Sequence, residues 1–270
     1  MMSDLLTVRG LTLATPDKVL VEGLSFSIAP GERFGLIGES GSGKSLTSLA
    51  VTGLLAPSIR PAGSITLAGK EIIGAPEKRL VRMRGDAVAT VFQEPLTALD
   101  PLMPLGRQIA GPVRRRLKRK GQEAGRVAVA REVRSLLELV RLPEPERLIR
   151  SYPHEVSGGQ RQRVAIAMAL ACQPRLLIAD EPTTALDVTT QAEIVRLITS
   201  LVEELGIALL FISHDLAVVG QVAESVMVMR DGRMIETGPA EQVLTRPEDS
   251  YTRSLVAAAR RFDEALEGQP

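Results

Sequence analysis

Gly38-Glu39-Ser40-Gly41-Ser42-Gly43-Lys44-Ser45 sets glycines among two hydroxyls and a lysine. Such a run lets backbone N–H groups turn inward around a phosphate, while the helix that follows adds its positive N-terminal end. Lys44 is then placed for β- and γ-phosphates, and the Ser45 hydroxyl for Mg²⁺. Farther along, Leu176-Leu177-Ile178-Ala179-Asp180-Glu181 is an apolar run ending in two carboxylates. Asp180 is placed to hold Mg²⁺ through water. Glu181 is placed to act as general base toward an attacking water. Read alone, the carboxylate pair is equally a solvated turn.

Other positions extend the constellation. Ser157-Gly158-Gly159-Gln160-Arg161 puts N–H groups and a hydroxyl at a helix start. That is either a capped N-terminus or a second anion site. Two anion sites in one chain suggest that a second protomer closes over the γ-phosphate. His214, after the apolar run Leu209-Leu210-Phe211-Ile212, is either structural or a γ-phosphate contact. Gln93, in Val91-Phe92-Gln93-Glu94-Pro95, can touch Mg²⁺ and water beside a moving loop.

These residues need particular elements to position them. Short apolar runs over 5–35 read as strands, with a turn at Ala29-Pro30-Gly31-Glu32. Residues 33–37 read as a buried strand entering the phosphate loop, followed by a helix over 44–55. A strand is predicted over 64–70. Between 95 and 152 the strand signal gives way to helical periodicity, clearest over 127–142. Then come a helix over 160–172, a strand over 176–179, a helix over 189–205 and a strand over 208–213. Runs 226–229 and 233–236 flank Asp231-Gly232 as a hairpin. Strands alternating with helices argue for a largely parallel α/β sheet.

Composition bounds the partners. The chain has 270 residues, is 44% hydrophobic and 24% charged, and carries a net charge of +1. No global field favours nucleic acid. Trp is absent and aromatics make up 3%, which speaks against a base-stacking platform. A lone cysteine, Cys172, excludes an internal disulfide and a multi-cysteine metal cluster, and its place among Ala and Leu implies a buried, inert thiol. The start Met1-Met2-Ser3-Asp4 shows no leader, and no apolar run reaches the ~20 residues of a bilayer span. A cytoplasmic protein is expected, with any membrane association through a partner. The basic run 114–120 is expected to be a solvated helical face.

Taken together, these residues resemble the ATP-binding subunit of an ABC transporter. Residues 38–45 match its Walker A motif and Gln93 its Q-loop. Ser157, Gly158, Gly159 and Gln160 match its signature, with Val156 in the usual Leu position. Residues 176–181 match Walker B, Ala185-Leu186-Asp187 the D-loop, and His214 the switch histidine. The resemblance covers roughly 5–240. It implies a P-loop NTPase α/β core over 1–94 and 156–240 that includes an N-terminal antiparallel β subdomain. It also implies a helical subdomain at 95–155 and a C-terminal helical tail at 241–270. ATP and Mg²⁺ follow as ligands. Gly38 through Ser45 take the nucleotide, Ser45, Gln93 and Asp180 the metal, and Glu181, His214 and Gln93 the catalysis.

The flanks are similar to one group within that family. Phe92 to Pro101, Tyr152-Pro153-His154-Glu155, Ala179 to Val188 and Ser250-Tyr251-Thr252-Arg253-Ser254-Leu255 look like dipeptide, oligopeptide and nickel importers. That implies two permeases, a second ATP-binding subunit (paralogue or self), and indirectly an extracytoplasmic solute-binding protein. Location would be peripheral, on the cytoplasmic face of the inner membrane. A soluble ABC ATPase of an enzyme assembly, such as a carbon–phosphorus lyase complex, is the alternative. The family usually stacks an aromatic on adenine near the N-terminus, but residues 11–18 hold none. Leu13 or Val19 would supply an aliphatic contact instead.

Overall fold

The computed structural model describes residues 4–93, 98–184 and 186–267. Glu94 to Thr97 of the predicted Q-loop flank and Ala185 of the D-loop motif lie outside the described residues, as do both chain ends. The strands are β1 (Leu6–Ala14), β2 (Val19–Ile28), β3 (Arg33–Ile37), β4 (Arg60–Leu67), β5 (Lys70–Glu71), β6 (Val88–Val91), β7 (Leu176–Asp180), β8 (Ala208–Ser213), β9 (Ser225–Arg230) and β10 (Arg233–Pro239). The helices, in chain order, are α1 (Lys44–Thr52), α2 (Glu77–Met83), α3 (Leu105–Arg119), α4 (Arg126–Leu139), α5 (Pro145–Arg150), α6 (Gly158–Leu170), α7 (Val188–Leu205), α8 (Leu216–Val222), α9 (Ala240–Thr245) and α10 (Ser250–Glu267).

The chain divides into two compact units, one of Met1–Val81 with Gly206–Pro270, the other of Arg82–Leu205. In the first, β1, β2, β4 and β5 form an antiparallel sheet in the order β2-β1-β4-β5. This is the expected N-terminal β subdomain. Its inward residues Leu6, Val8, Leu11, Leu13, Val21, Leu24 and Ile65 are almost wholly buried. The strand predicted over 64–70 runs instead from 60 to 67. Its exposed first half, Arg60-Pro61-Ala62-Gly63, lacks any strand signal and pairs with the far end of β1, so Arg60 faces Ala14.

The same unit holds β3 between parallel neighbours β8 and β9, with β10 antiparallel to β9. β8 is buried at every position and β3 at all but Arg33. Strands covered on both faces read as unbroken apolar runs, which is why these were visible in sequence. Gly35 sits where space has run out. A Cβ there would lie 2.5 Å from Val219 Cγ1 and 3.0 Å from both Ala223 Cβ and Val226 Cγ1. α1 ends at Thr52 rather than at 55. Gly53 takes a left-handed φ of 64°, and the Gly53 and Leu54 amides turn back to Ala50 and Leu49.

In the second unit β6 and β7 pair in parallel. Helices α3 to α7 account for most of the rest, and 98–155 contains no strand among its described residues. The basic run lies on an exposed helical face as expected, with Arg116 the exception. Arg116 is buried and ion-paired with Glu132, Arg119 meets Asp86 at 2.6 Å, and Lys120 donates to Gln173 at 2.6 Å. Arg114, Arg115, Lys118, Arg119 and Lys120 are all exposed. Helical periodicity turned Arg116 inward beside Val113 and Leu117, where it needed a carboxylate partner. Cys172 is buried, with its Sγ 3.6 Å from the Pro112 carbonyl, and burial pushes its thiol above the ordinary range. No helix among the described residues is long and apolar enough to cross a membrane.

Gly35→Ala should therefore destabilise the strand that carries the phosphate loop by about 1–3 kcal/mol through overpacking. Urea unfolding would register this as a lower midpoint, and an unchanged midpoint would show that α8 yields freely.

Candidate functional site

In the first unit the loop 38–43 joins the end of β3 to the start of α1. Gly43 is the N-cap, with a left-handed φ of 100°, and no side chain caps the helix. The first amides of α1 are thus left to a ligand rather than to a serine or aspartate. Gly38 cannot carry a side chain, since a Cβ would lie 2.3 Å from the Met229 carbonyl oxygen and 2.7 Å from Ser42 Oγ. Lys44 is only 4% exposed, and its ammonium donates to the carbonyls of Gly38 at 2.7 Å and Glu39 at 2.9 Å. The Ser42 hydroxyl is buried with no hydrogen-bond partner among the described residues. Buried polar groups are rarely orphaned. A buried cation, an orphaned hydroxyl and an uncapped helix start together fit a bound phosphate chain. Glu39, Ser40, Gly41 and Ser45 lie exposed along the same loop.

The β3–β8 register, with Ile37 opposite Ser213, brings Gly38 and His214 to the same end of the parallel pair. His214 is exposed there. Its position is held from both sides, because Ser213 Oγ accepts from the Asp215 amide at 3.0 Å and Asp215 caps α8 through Val218 N at 3.1 Å.

In the second unit the β6–β7 register pairs Val91 with Ala179. Gln93 and the Asp180-Glu181 pair therefore both sit at or just beyond the carboxyl end of these parallel strands, where α/β sheets place ligands. Asp180 is 6% exposed. Glu181 has a left-handed φ of 47°, and its Oε2 accepts from Thr184 Oγ1 at 3.1 Å. Carboxamide and carboxylate oxygens, as offered in this unit by Gln93 and Asp180, are donor chemistry that Mg²⁺ accepts.

Ser157 and Gln160 form a capping box at the start of α6. Ser157 Oγ accepts from Gln160 N at 3.2 Å, and Gln160 Oε1 from Ser157 N at 3.1 Å. The Ser157 hydroxyl proton is left over to donate to an anion. A Cβ on Gly158 would lie 3.3 Å from Leu186 Cδ2, and one on Gly159 2.7 Å from Thr190 Cγ2. The signature glycines thus admit the D-loop and the head of α7 against the helix start. Asp187 caps α7 by accepting from Thr190 N at 2.9 Å, and that bond leads the contacts that lower its pKa.

The sequence reading missed several supports. Arg163 donates to Val140 O at 3.1 Å and to Glu193 at 2.8 Å, tying α6 to α4 and α7. Gly232 N donates to Ser42 O at 3.2 Å, so the hairpin of β9 and β10 walls the phosphate loop. Only the Asp-Gly turn signal was visible, not its target. Leu13 is wholly buried in the β subdomain and offers no base contact, which corrects that candidate; Val19 is 49% exposed.

Comparison with known proteins bears on these groups. The profile of the ABC transporter family matches residues 21–184. The chain is 45% identical over 255 residues to the oligopeptide transport ATP-binding protein OppD of Salmonella typhimurium, covering 94% of this chain and 75% of OppD. It is 46% identical over 260 residues to the peptidoglycan transport ATP-binding protein YejF of Agrobacterium fabrum, covering 94% of this chain but only 47% of YejF. Among solved structures, the dimeric post-hydrolysis state of the ATP-binding cassette MJ0796, bound to ADP and Pi, superposes with a TM-score of 0.75 at 26% identity. That match covers 87% of this chain and 98% of the cassette.

Removing the orphaned hydroxyl separates folding from binding. Without nucleotide, Ser42→Ala should melt at the same temperature or higher, because an unsatisfied buried group is lost. The rise in melting temperature produced by ATP should shrink. Equal ATP-induced shifts in the two proteins, read by scanning fluorimetry, would take Ser42 out of the phosphate site.

Proposed function

The chain belongs to the ABC transporter family, and from that premise we propose that it is the ATP-hydrolysing subunit of an importer for peptides. The observation that carries the reading is the phosphate loop itself, with its buried Lys44, orphaned Ser42 hydroxyl and uncapped α1. The oligopeptide transport function named for OppD supports the solute class and favours peptide over nickel. Two permease subunits, a second ATP-binding subunit and an extracytoplasmic binding protein complete the proposed assembly. The chain would sit peripherally on the cytoplasmic face of the membrane, with 95–155 as its helical subdomain. The loop after Gln93 would engage a permease helix.

In the reaction, the amides of 38–45 bind the phosphates and Lys44 leaves its two loop carbonyls for the β- and γ-phosphate oxygens. Ser45, Gln93 and Asp180 would hold Mg²⁺, which when bound neutralises phosphate charge. Glu181 orients a water and accepts its proton as the water oxygen bonds to the γ-phosphorus and the bond to ADP breaks. Its left-handed backbone and the Thr184 bond keep the carboxylate from swinging freely. His214 contacts the γ-phosphate. Ser157, Gly158, Gly159 and Gln160 present the α6 amides and the Ser157 hydroxyl to the ATP of the opposing subunit, with Asp187 at the shared boundary. Most of the catalysis is positioning and charge stabilisation. The dimeric form of the MJ0796 cassette supports the two-subunit arrangement.

Glu181→Gln keeps the shape and removes the base, so it should bind ATP, lose roughly 10²–10⁴-fold in hydrolysis and accumulate a dimer on gel filtration. Full activity in that variant would move the base to another residue. Tagged chain purified from gently solubilised membranes should bring down two multi-span permeases and a second ATPase. Recovery of soluble enzymes alone would overturn transport in favour of a soluble ATPase assembly.

A further inference from the structure

The second unit carries a charge pattern that the nucleotide site does not use. The fifteen residues of α3 include no Asp or Glu. At about 100° per residue, Arg114, Lys118, Arg115 and Arg119 fall within an arc of roughly 140°. Val113, Arg116 and Leu117 take the opposite side and are buried. A solvated helix face ordinarily sets carboxylates against cations at i,i+4, because like charges there repel. Here both such pairs, Arg114 with Lys118 and Arg115 with Arg119, are like-charged. The negative C-terminal end of α3 favours cations in its last turn only. It accounts for Lys118 and Arg119 but not for Arg114 and Arg115.

The two carboxylates that meet this helix are already taken. Glu132 pairs with the buried Arg116, and Asp86 with Arg119 at 2.6 Å. Arg119 also donates to the Arg82 carbonyl at 3.4 Å, which brings the exposed Arg82 to the same end of α3. The side chains of Arg82, Arg114, Arg115 and Lys118 make no hydrogen bond or ion pair among the described residues. The loop that follows, 120–125, adds Lys120 against a single acid, Glu123. Beyond it Val127, 81% exposed, stands beside the cation Arg126 at the head of α4. Residues 98–150 hold no aromatic, so nucleic-acid bases would find no stacking platform. Cations on long aliphatic stems, flanked by a bare apolar side chain, suit the headgroup layer of a bilayer. There the stems and methyls lie toward the acyl chains while the charges meet phosphates.

We propose that the C-terminal half of α3, with Arg82 at its flank, is a docking face for an anionic lipid surface. Headgroup phosphates satisfy Arg114, Arg115 and Lys118, the cations that no carboxylate of the chain claims. The attraction adds up charge by charge and dies away within a Debye length. It therefore orients the unit against the bilayer without inserting a helix. The inference rests on the peripheral membrane location proposed above, but it needs neither permease nor nucleotide.

The test is flotation of the full chain with vesicles of phosphatidylcholine alone, or of equal parts phosphatidylcholine and phosphatidylglycerol. Wild type should float with the anionic vesicles in low salt, stay behind with the neutral ones, and be released in high salt. The triple variant Arg114→Gln, Arg115→Gln, Lys118→Gln should partition roughly 10²-fold more weakly. Its melting temperature and its ATP hydrolysis without lipid should match wild type. Arg114→Lys with Arg115→Lys, which keeps the charge, should float as wild type does. Equal binding to both vesicles, no binding to either, or undiminished binding by the triple variant overturns the proposal. Tighter capture by duplex DNA than by the anionic vesicles at the same salt overturns it in favour of nucleic acid. Flotation that persists while membranes yield no permease removes the importer reading and leaves this face standing; permeases recovered without flotation remove the lipid face alone.

Discussion

A buried ammonium at the centre of a glycine-rich turn is the constraint on which the first unit depends. Lys44 is almost fully removed from water, and such a charge is tolerable only if its donors are met. The Gly38 and Glu39 carbonyls meet it, but only while the loop keeps the curvature that turns them inward. That curvature in turn requires Gly38 to press against Met229 O and the loop to hang from a strand buried on both sides. The apolar filling of β3, β8 and β9 is therefore more than a core. It is the rigid mount for the backbone groups that are proposed to receive phosphate.

The second unit solves a related problem with different means. Here the helix start that can face an anion is α6, and its own cap already uses part of its capacity. Ser157 and Gln160 satisfy one another's amides, which fixes the α6 terminus without help from a ligand. The glycines between them leave room for Leu186 and Thr190, so the head of α7 and the D-loop are packed directly against that terminus. Asp187, read in sequence as a D-loop residue, is at the same time the cap of α7. A substitution there acts on helix geometry as well as on any contact with nucleotide, and the two effects share one carboxylate.

Much of this was legible because the elements that position the site are the most buried ones. β8 begins and ends where the run 208–213 does, and Ser157 announced the α6 cap. The α/β class and the helical character of 98–155 followed from periodicity, whereas the antiparallel β subdomain was implied by the family resemblance. What escaped has a common physical cause. The first half of β4 is exposed, holds Pro61 and Gly63, and owes its strand to pairing with β1. Leu13 faces inward by strand alternation, which no motif reveals. Arg116 lay within a run of like charges, and only the helical period, combined with Glu132 on a neighbouring helix, decided that it is buried. Tyr251 and Glu39 line one cavity although more than two hundred positions separate them, so no local pattern encodes their proximity.

The positions that break local rules also say where the fold is under functional demand. Glu181 is a non-glycine residue in the left-handed region, a conformation that costs on the order of 1–3 kcal/mol unless its surroundings enforce it. A glycine would remove that cost, so the side chain must be worth keeping. What enforces the backbone is visible: β7 is buried throughout up to Asp180, and Thr184 turns back to hold the carboxylate. The result is a carboxylate that leaves a fixed strand end and is steadied by the Thr184 hydroxyl. For the general base proposed at this position, a carboxylate anchored at a buried strand end and held by a hydroxyl keeps its orientation better than an unanchored one. The strain at Glu181 and the clamp on Lys44 are then two forms of one strategy, in which buried strands fix the backbone and the backbone fixes the chemistry.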